Sequence, residues 1–331
     1  MSAKPRMPAE WEPHERTWLA WPHNPLDWPG KFAPIHWVYV DIVRQLAHFE
    51  AVSIVVQSDR AEARATRMLG DGGADLERIS FHRFETDRSW LRDSGPSFVL
   101  RGTSLEAVCW RFNAWAKYSN YSRDELLAER IAKTAKARAI KPMWKRRRVV
   151  IEGGAIDVDG QGTLLATEEC LLSNIQERNP GFSREDYSGV FEKYLGVRKI
   201  IWLGAGIEGD DTHGHIDDVA RFVSPGVVAA VGKENIARLK PHVEVVELPS
   251  PRPLYFRGER LPASYANFYV ANGLVLVPMF SDPHDRTALN LLSEAFPCHE
   301  VIGFPCVDLV WGFGSVHCAT QQQPTAQRPK I

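Results

Sequence analysis

Short apolar runs alternate with segments of helical spacing along most of the chain. Residues 17–21 form a short apolar run that is predicted to be a strand, residues 51–57 are predicted to form a buried strand, and residues 79–84 another strand. Residues 35–47 place apolar side chains at the spacing of a helix, and residues 61–69 form a second such segment that a glycine closes. This alternation predicts an α/β protein.

A two-strand pattern then recurs four times. Two apolar runs joined by a few Gly, Asn, Asp, Ser or Pro residues are typical of a β-hairpin. The predicted hairpins span residues 95–112, 154–167, 218–231 and 267–278. Helical segments follow them at residues 122–139, 183–195, 233–239 and 286–295, and single strands follow at residues 199–203, 243–248 and 300–303. The period of roughly 50–60 residues is typical of propellers and arrays.

A fifth copy starts near the end of the chain. Residues 311–314 form a glycine-rich loop, and residues 316–320 are predicted to form a short strand with Cys318 near its start. On such a strand His317 points to the opposite face from Cys318, so we do not expect it to be the catalytic base. The strand at residues 17–21 would pair with this last strand and close a ring without a free edge.

The repeats predict a single domain over residues 1–331, a five-bladed, pseudo-symmetric α/β propeller of ββαβ units. A two-layer α/β sandwich is the alternative. If the copies are equivalent by rotation, the polar residues at the hairpin starts converge on one axial pocket. These residues are Asp93, Glu152, His215, Asp217 and Cys318. Tyr265 and Asn267 are candidates to line the same pocket from the fourth copy.

Composition and charge narrow the classes of function. The 331 residues are 44% hydrophobic and carry a net charge of −1, which favours neither nucleic-acid nor membrane binding. A stretch of about 18 apolar residues is absent, and the opening residues lack the apolar core of a signal peptide. The number of cysteines is odd. We therefore expect a reduced, cytoplasmic, soluble protein.

A metal site is not expected from the sequence. The cysteines lie at positions 109, 170, 298, 306 and 318, without the spacing of a zinc site. His213 and His215 could pair with Asp217 around a metal ion, but no third imidazole or cysteine stands at a suitable spacing. We expect the cysteines other than Cys318 to be packing residues.

Four motifs in order resemble the agmatine deiminases and the bacterial peptidylarginine deiminase-type family, which belongs to the guanidino-group-modifying enzymes. The motifs are WLRDSGP at residues 90–96, IEGG at 151–154, THGHID at 212–217 and GSVHCATQQ at 314–322. The opening EWEPHERTWLAWPHN also resembles the start of that family. The resemblance covers nearly the whole chain and implies the pentein fold, which is a five-bladed α/β propeller.

The resemblance implies a role for each converging residue. Cys318 would be the nucleophile and His215 the acid and base, while Glu152 would orient His215. Asp93 and Asp217 would bind the planar, cationic guanidinium, which suits paired carboxylates.

The sequence departs from the family at positions expected at the rim of the pocket, where the substrate's tail would be recognised. Trp90 would lie against the flat or aliphatic part of the substrate. The family usually has Gly-Gly-Gly-Asn where Gly-Phe313-Gly-Ser315 stands here, and often Asp or Asn at the position of His213. Asp211, with its neighbour Asp210, is a candidate to attract a tail amine.

The expected reaction is hydrolysis of agmatine to N-carbamoylputrescine, a precursor of putrescine, and ammonia. It would proceed through a covalent amidino-thioether on Cys318, without metal or organic cofactor. Within the class, the alternatives are arginine, an N-methylated arginine or a peptidyl arginine. Outside it, a Cys–His thiol peptidase and a catalytically dead binding propeller are considered. A homodimer is expected from the resemblance.

Overall fold

The computed structural model describes residues 3–326, which form small sheets; in every sheet except the one that joins the chain ends, the strands stand in chain order. None of the helices among these residues has the length and the apolar composition needed to cross a membrane.

Four hairpins occur where the turn residues predict them. Each is followed by a helix and then by a strand that pairs in parallel with the second hairpin strand. The hairpin strands are Ser97–Arg101 with Ser104–Val108, Asp157–Val158 with Thr163–Thr167, Ala220–Ser224 with Val227–Ala230, and Tyr269–Ala271 with Leu274–Met279. The helices are Leu127–Thr134, Arg184–Leu195, Lys233–Leu239 and Asp285–Ala295. The following strands are Arg138–Ile140, Lys199–Leu203, Glu244–Glu247 and Glu300–Pro305.

The fifth sheet joins the two ends of the chain. Strand Thr320–Pro324 pairs antiparallel with His14–Ala20, which confirms the predicted pairing. Helix Phe32–Phe49 then leads to strand Ala51–Val56, and helix Asp59–Asp71 leads to strand Ile79–Arg83. Both later strands join the sheet in parallel. The same ββαβ unit is therefore assembled from opposite ends of the sequence.

Smaller elements complete the described chain. Strand Pro5–Arg6 extends the first hairpin sheet, and two short hairpins stand apart. The latter are Met143–Trp144 with Arg147–Arg148 and Tyr255–Phe256 with Glu259–Arg260. One-turn helices are Leu76–Arg78, Leu91–Ser94, Ala114–Ala116, Asp124–Leu126, Gly153–Ala155, Glu168–Leu172, Ile216–Asp218, Val310–Gly312 and Val316–Ala319.

Local chemistry explains where the helices begin and end. Ser183 caps helix Arg184–Leu195 and forms a reciprocal capping box with Asp186, and Gly196 ends the helix in a left-handed conformation with φ of 77°. Helix Asp59–Asp71 continues one residue beyond the glycine predicted to close it.

The helix predicted at residues 122–139 is shorter than expected. Only Leu127–Thr134 is α-helical, because Lys136 takes a positive φ of 53° and turns the chain into strand Arg138–Ile140.

The prediction for the segment around Cys318 was wrong. Residues Val316–Ala319 form one helical turn, and the strand begins only at Thr320. The Thr320 hydroxyl donates to the carbonyl of Val316, and the Ala319 N–H donates to the carbonyl of Ser315, so backbone polar groups of this buried turn are satisfied within it. Cys318 and His317 therefore do not alternate across a sheet.

Candidate active site

Four one-turn helices at the starts of hairpins carry the residues that the motifs single out. Asp93 lies in the turn Leu91–Ser94, and Cys318 lies in Val316–Ala319. Glu152 stands directly before the turn Gly153–Ala155. His215 stands directly before the turn Ile216–Asp218, and Asp217 lies inside that turn. All five residues are buried and close together. The sequence prediction that these residues converge is consistent with this arrangement.

A cavity of about 520 Å³ leads to the thiol of Cys318. Trp90, Trp115 and Asp93 line it, while Asp211 and Phe313 stand among the other lining residues. His215, Asp217 and Glu152 lie behind this lining.

The glycine-rich loop at residues 312–314 fits closely around the cavity. A Cβ atom at Gly314 would stand 2.7 Å from the ring of Trp90, so a larger residue would displace the indole. Phe313 takes a left-handed conformation with φ of 64°, which turns the chain toward Cys318. Ser315, the other departure from the family motif, is buried and is not among the residues that line the cavity.

His215 stands among three carboxylates. Its Nδ1 lies 3.8 Å from Asp93 and 3.9 Å from Asp217, and its Nε2 lies 3.6 Å from Glu152. Burial opposes the charged imidazole, but these carboxylates outweigh burial and raise the pKa of His215 to about 10. Neither ring nitrogen has a hydrogen-bond partner among the described residues. The carboxylates therefore keep His215 in its imidazolium form, which can act as a proton donor.

Glu152 is neutralised from behind by a residue that the sequence analysis missed. Arg178 Nε lies 3.2 Å from Glu152 Oε1, and both side chains are fully buried. Burial raises the pKa of Glu152, but Arg178 and His215 together lower it to about 2. Glu152 is therefore ionised, and its carboxylate lies 3.6 Å from Nε2 of His215.

Asp93 is held by two donors. Its Oδ1 accepts from the N–H of Gly154 at 3.0 Å, and its Oδ2 accepts from the indole N–H of Trp115 at 2.9 Å. Burial raises the pKa of Asp93 to about 6, and Asp217 and Glu152 add to this while His215 opposes it. A side chain with this pKa ionises readily when a cation enters the cavity.

Asp217 is held on one side only. Its Oδ2 accepts from Nδ1 of His317 at 2.7 Å, whereas its Oδ1 has no partner among the described residues. His317 thus faces the site through Asp217, in contrast to the prediction that it points away. The helical turn explains the difference, because neighbouring residues in a helix do not lie on opposite faces.

Cys318 contacts an amide and a carboxylate. Asn267 Nδ2 lies 3.2 Å from Sγ, and Asp217 Oδ2 lies 3.6 Å from it. Burial raises the pKa of the Cys318 thiol well above its ordinary value, and Asp217, Asp218 and Asp93 raise it further. Tyr265, the other candidate from the fourth copy, instead donates to Asp285 at 2.7 Å and is not among the cavity's lining residues.

Besides Asp93, three acidic residues line the cavity: Asp27, Asp211 and Glu259. Asp211 accepts from the hydroxyl of Tyr118 at 2.7 Å and lies 3.3 Å from the ammonium of Lys117. Asp27 pairs with Arg88 at 3.1 Å, and its Oδ2 has no partner within the described chain. Burial raises the pKa of Asp27 to about 7. The loops that carry Asp27 and Arg88 have no distinctive sequence motif, so the sequence analysis did not find them.

One set of side chains has the spacing of metal ligands but does not suit a metal ion. Ligand atoms of Glu152, Cys170 and His215 lie within 4.8 Å of one another. The Arg178 guanidinium already occupies the carboxylate of Glu152, so a second cation there would be repelled. His213 turns away to contact Ser173 at 3.2 Å, so it does not form the alternative pair with His215. Asp210 accepts from backbone N–H groups of this loop and does not line the cavity.

Comparison with known proteins places the chain among deiminases. The family model described as Porphyromonas-type peptidyl-arginine deiminase matches residues 6–324. An agmatine deiminase of Pseudomonas aeruginosa is 34% identical, and the match covers 98% of this chain and 96% of that one. An agmatine deiminase of Enterococcus faecalis superimposes with a TM-score of 0.88 at 31% identity, covering 98% of both chains. An agmatine deiminase of C. jejuni with substrate bound superimposes with a TM-score of 0.86 at 27% identity, covering 98% of this chain and 97% of the other.

Proposed function

Because the chain belongs to the Porphyromonas-type peptidyl-arginine deiminase family, we propose that it hydrolyses agmatine to N-carbamoylputrescine and ammonia. It is an enzyme that acts on a guanidino group. The observation that carries the proposal is the buried group of carboxylates around one thiol and one imidazole, an arrangement that suits a cationic substrate.

The guanidinium binds between Asp93 and Asp217. A guanidinium has donors in a rigid planar fork, and carboxylates on two sides of it hold its central carbon in one place. The free Oδ1 of Asp217 accepts from the substrate on one side. Trp90 and Trp115 line the cavity, and an aromatic ring beside a cation contributes about 0.5–2 kcal/mol.

Substrate binding also prepares the nucleophile. In the empty site burial and the carboxylates keep Cys318 protonated. The positive charge of the substrate lies beside the sulfur and lowers the pKa of the thiol, so the thiolate forms only when the substrate is present. The thiol proton leaves to solvent through the cavity that Cys318 lines, because His215 is already protonated. The thiolate then attacks the guanidinium carbon and gives a tetrahedral centre.

His215 serves both halves of the reaction. As an imidazolium it donates its proton to the departing nitrogen, which leaves as ammonia. The neutral imidazole then removes a proton from water, which attacks the amidino-thioether. The bond between the carbon and Cys318 Sγ then breaks, which releases the urea product and regenerates the thiolate of Cys318. Glu152 keeps the imidazole oriented between these steps. No step requires a metal or an organic cofactor.

Asp211 is proposed to attract the terminal amine of agmatine at the cavity mouth. Its pairing with Lys117 weakens its charge, so its contribution is small. Arginine, N-methylated arginine and peptidyl arginine keep the same chemistry and differ only at this mouth. A Cys–His thiol peptidase is a poorer explanation, because it has no use for Asp93 and Asp217 beside the thiol.

The five ββαβ units are proposed to surround one axis as a five-bladed propeller, forming a single domain over residues 1–331. The pairing of strand His14–Ala20 with Thr320–Pro324 supports ring closure, since it removes the edge that both strands would otherwise expose. A cytoplasmic location and a homodimer stay predictions.

The decisive experiment measures ammonia release from agmatine, arginine, N-methylarginine and an arginine peptide side by side, with the Cys318→Ala variant as the blank. We expect agmatine to have the largest kcat/KM. Preference for another of these guanidines would overturn the substrate assignment while keeping the chemistry. No ammonia from any of them would overturn the proposed function.

A further inference from the structure

A fully paired polar network lies directly beneath the candidate site. We call it the Glu10 network; its members are Glu10, Arg92, Asp157, Arg221 and His317. Each member is at most 8% exposed. The Glu10 carboxylate lies 2.9 Å from Arg221 and 3.1 Å from Arg92, and Arg221 lies 2.8 Å from Asp157. The mechanism above uses none of these side chains.

His317 is the link between this network and the site. Its Nε2 lies 3.0 Å from Glu10 Oε2, and its Nδ1 lies 2.7 Å from Asp217 Oδ2. An ionised carboxylate accepts hydrogen bonds and does not donate them, so each ring nitrogen must supply a proton. The arginines beside Glu10 lower the pKa of its carboxyl well below its usual range, despite its burial, which keeps this acceptor ionised. His317 therefore bridges the two carboxylates through its two ring nitrogens, and we call this arrangement the clamp.

The clamp decides which oxygen of Asp217 the substrate meets. Oδ2 is held by His317, and the same oxygen is the one near the thiol of Cys318. Oδ1 is left without a partner among the described residues and faces His215 at 3.9 Å. Without the clamp, the Asp217 side chain would be free to rotate and to place either oxygen toward the cavity. Its orientation would then have to be fixed at the moment of binding.

We propose that His317 is a positioning residue, which acts through Asp217 to present one carboxylate oxygen to the guanidinium of the substrate. This inference rests on the proposed guanidine hydrolysis. His317 does not act as the base, because both of its ring nitrogens already contact carboxylates, those of Asp217 and Glu10. His317 and Cys318 are neighbours in the sequence, and the helical turn Val316–Ala319 brings both side chains to Asp217.

Two substitutions separate this role from a merely structural one. The amide nitrogen of asparagine stands near the place of histidine Nδ1, and that of glutamine stands near the place of Nε2. H317N therefore keeps the donor to Asp217 and loses the contact with Glu10, whereas H317Q keeps the contact with Glu10 and loses the donor to Asp217. If His317 only supports the fold, the two variants should bind agmatine equally well, or H317Q should bind it more tightly.

Agmatine binding is measured by calorimetry in a Cys318→Ala background, where turnover does not interfere. We expect H317N to bind agmatine within about threefold of the background protein. We expect H317Q to bind at least about tenfold more weakly, the size expected when a hydrogen bond to a charged group is lost. In the enzyme with Cys318, H317Q should raise KM for agmatine more than H317N does, and kcat should change less than KM.

His36 supplies the matched control. It is as buried as His317, at 2% exposure, and both of its ring nitrogens also have partners, the carbonyls of Phe32 at 2.8 Å and Pro22 at 3.1 Å. It lies outside the cavity lining. H36N should leave agmatine affinity unchanged, even if it lowers the melting temperature.

The outcomes distinguish this inference from the proposed function. Equal agmatine affinities in H317N and H317Q, or tighter binding by H317Q, would overturn the inference. The proposed function would still stand if the unaltered enzyme releases ammonia. Absence of ammonia release from every guanidine tested would overturn both. If neither variant folds, neutron diffraction from the unaltered protein decides: a deuteron on both nitrogens of His317 supports the clamp, and a deuteron on one nitrogen alone overturns it.

Discussion

The two groups of buried polar side chains in this protein differ in how completely they are paired. In the Glu10 network, each carboxylate meets an arginine or an imidazole within hydrogen-bond distance. Around His215 the distances to the carboxylates are 3.6–3.9 Å, and neither of its nitrogens has a partner among the described residues. Buried polar groups without partners are costly and therefore rare. The comparison indicates that the second group is kept incomplete so that the substrate can complete it.

Replacing Cys318 by alanine tests the incomplete group most severely. We expect turnover to fall by a factor on the order of 10⁴ or more, as when a catalytic nucleophile is removed. The free energy of unfolding should change by no more than about 1 kcal/mol, because only a small buried group is lost. Ammonia release and urea denaturation measure the two quantities. Cys306→Ala is the control, since this buried cysteine lies outside the cavity lining and should keep its activity. Comparable activity in both variants would remove Cys318 from the mechanism.

Replacing Arg178 by methionine tests how much the buried ion pair between Arg178 and Glu152 contributes to stability. Glu152 would remain buried without its cation, and breaking a buried ion pair costs about 3–5 kcal/mol of stability. Arg184→Met removes an exposed pair with Glu168 and should cost at most about 1 kcal/mol. Chemical denaturation of both variants measures the difference. A similar small loss in both would show that the Arg178 pair contributes no more than a surface pair.

The pH dependence tests Asp93, whose carboxyl has a pKa raised to about 6. Only the ionised carboxylate pairs with a guanidinium, so kcat/KM should fall about tenfold for each pH unit below this pKa. The acid limb of the profile therefore lies near pH 6, above the ordinary range of an aspartate. An acid limb near pH 4 would show that burial does not control Asp93.

Replacing Asp211 by asparagine should have the smallest effect. The side chain is partly exposed and already paired with Lys117, and such ion pairs contribute about 0.2–1 kcal/mol. We expect KM for agmatine to rise by at most about fivefold, with kcat unchanged. An alkylguanidine without a terminal amine serves as the control substrate, for which KM should not change. An equal rise in KM for both substrates would exclude a role for Asp211 in binding the amine.

The repeated part of the fold was predictable because its signals are local. Turn residues such as Asp159 and Gly160, or Asn272 and Gly273, specify a hairpin within a few positions, and the apolar runs beside them show which segments are buried. The pairing across the chain ends followed from counting copies. It needed no local signal, only the requirement that the last strand should have a partner.

The partners of the catalytic residues were predictable only in part. Arg178 and Glu152 are 26 residues apart in irregular loops, and no periodicity connects them. The role of His317 depended on whether residues 316–319 form a strand or a turn, and a segment of four residues has too little pattern to decide this. Local composition indicates that a side chain is buried, but the three-dimensional arrangement alone shows what it faces.

The antiparallel pairing of His14–Ala20 with Thr320–Pro324 has a consequence for how the protein is made. During synthesis, Glu10 and strand His14–Ala20 leave the ribosome about 300 residues before His317, Cys318 and strand Thr320–Pro324, which pairs with His14–Ala20. Contacts between such distant positions form late and slowly. A nascent chain therefore exposes the unpaired edge of strand His14–Ala20 until strand Thr320–Pro324 emerges, and the site around Cys318 can form only after that.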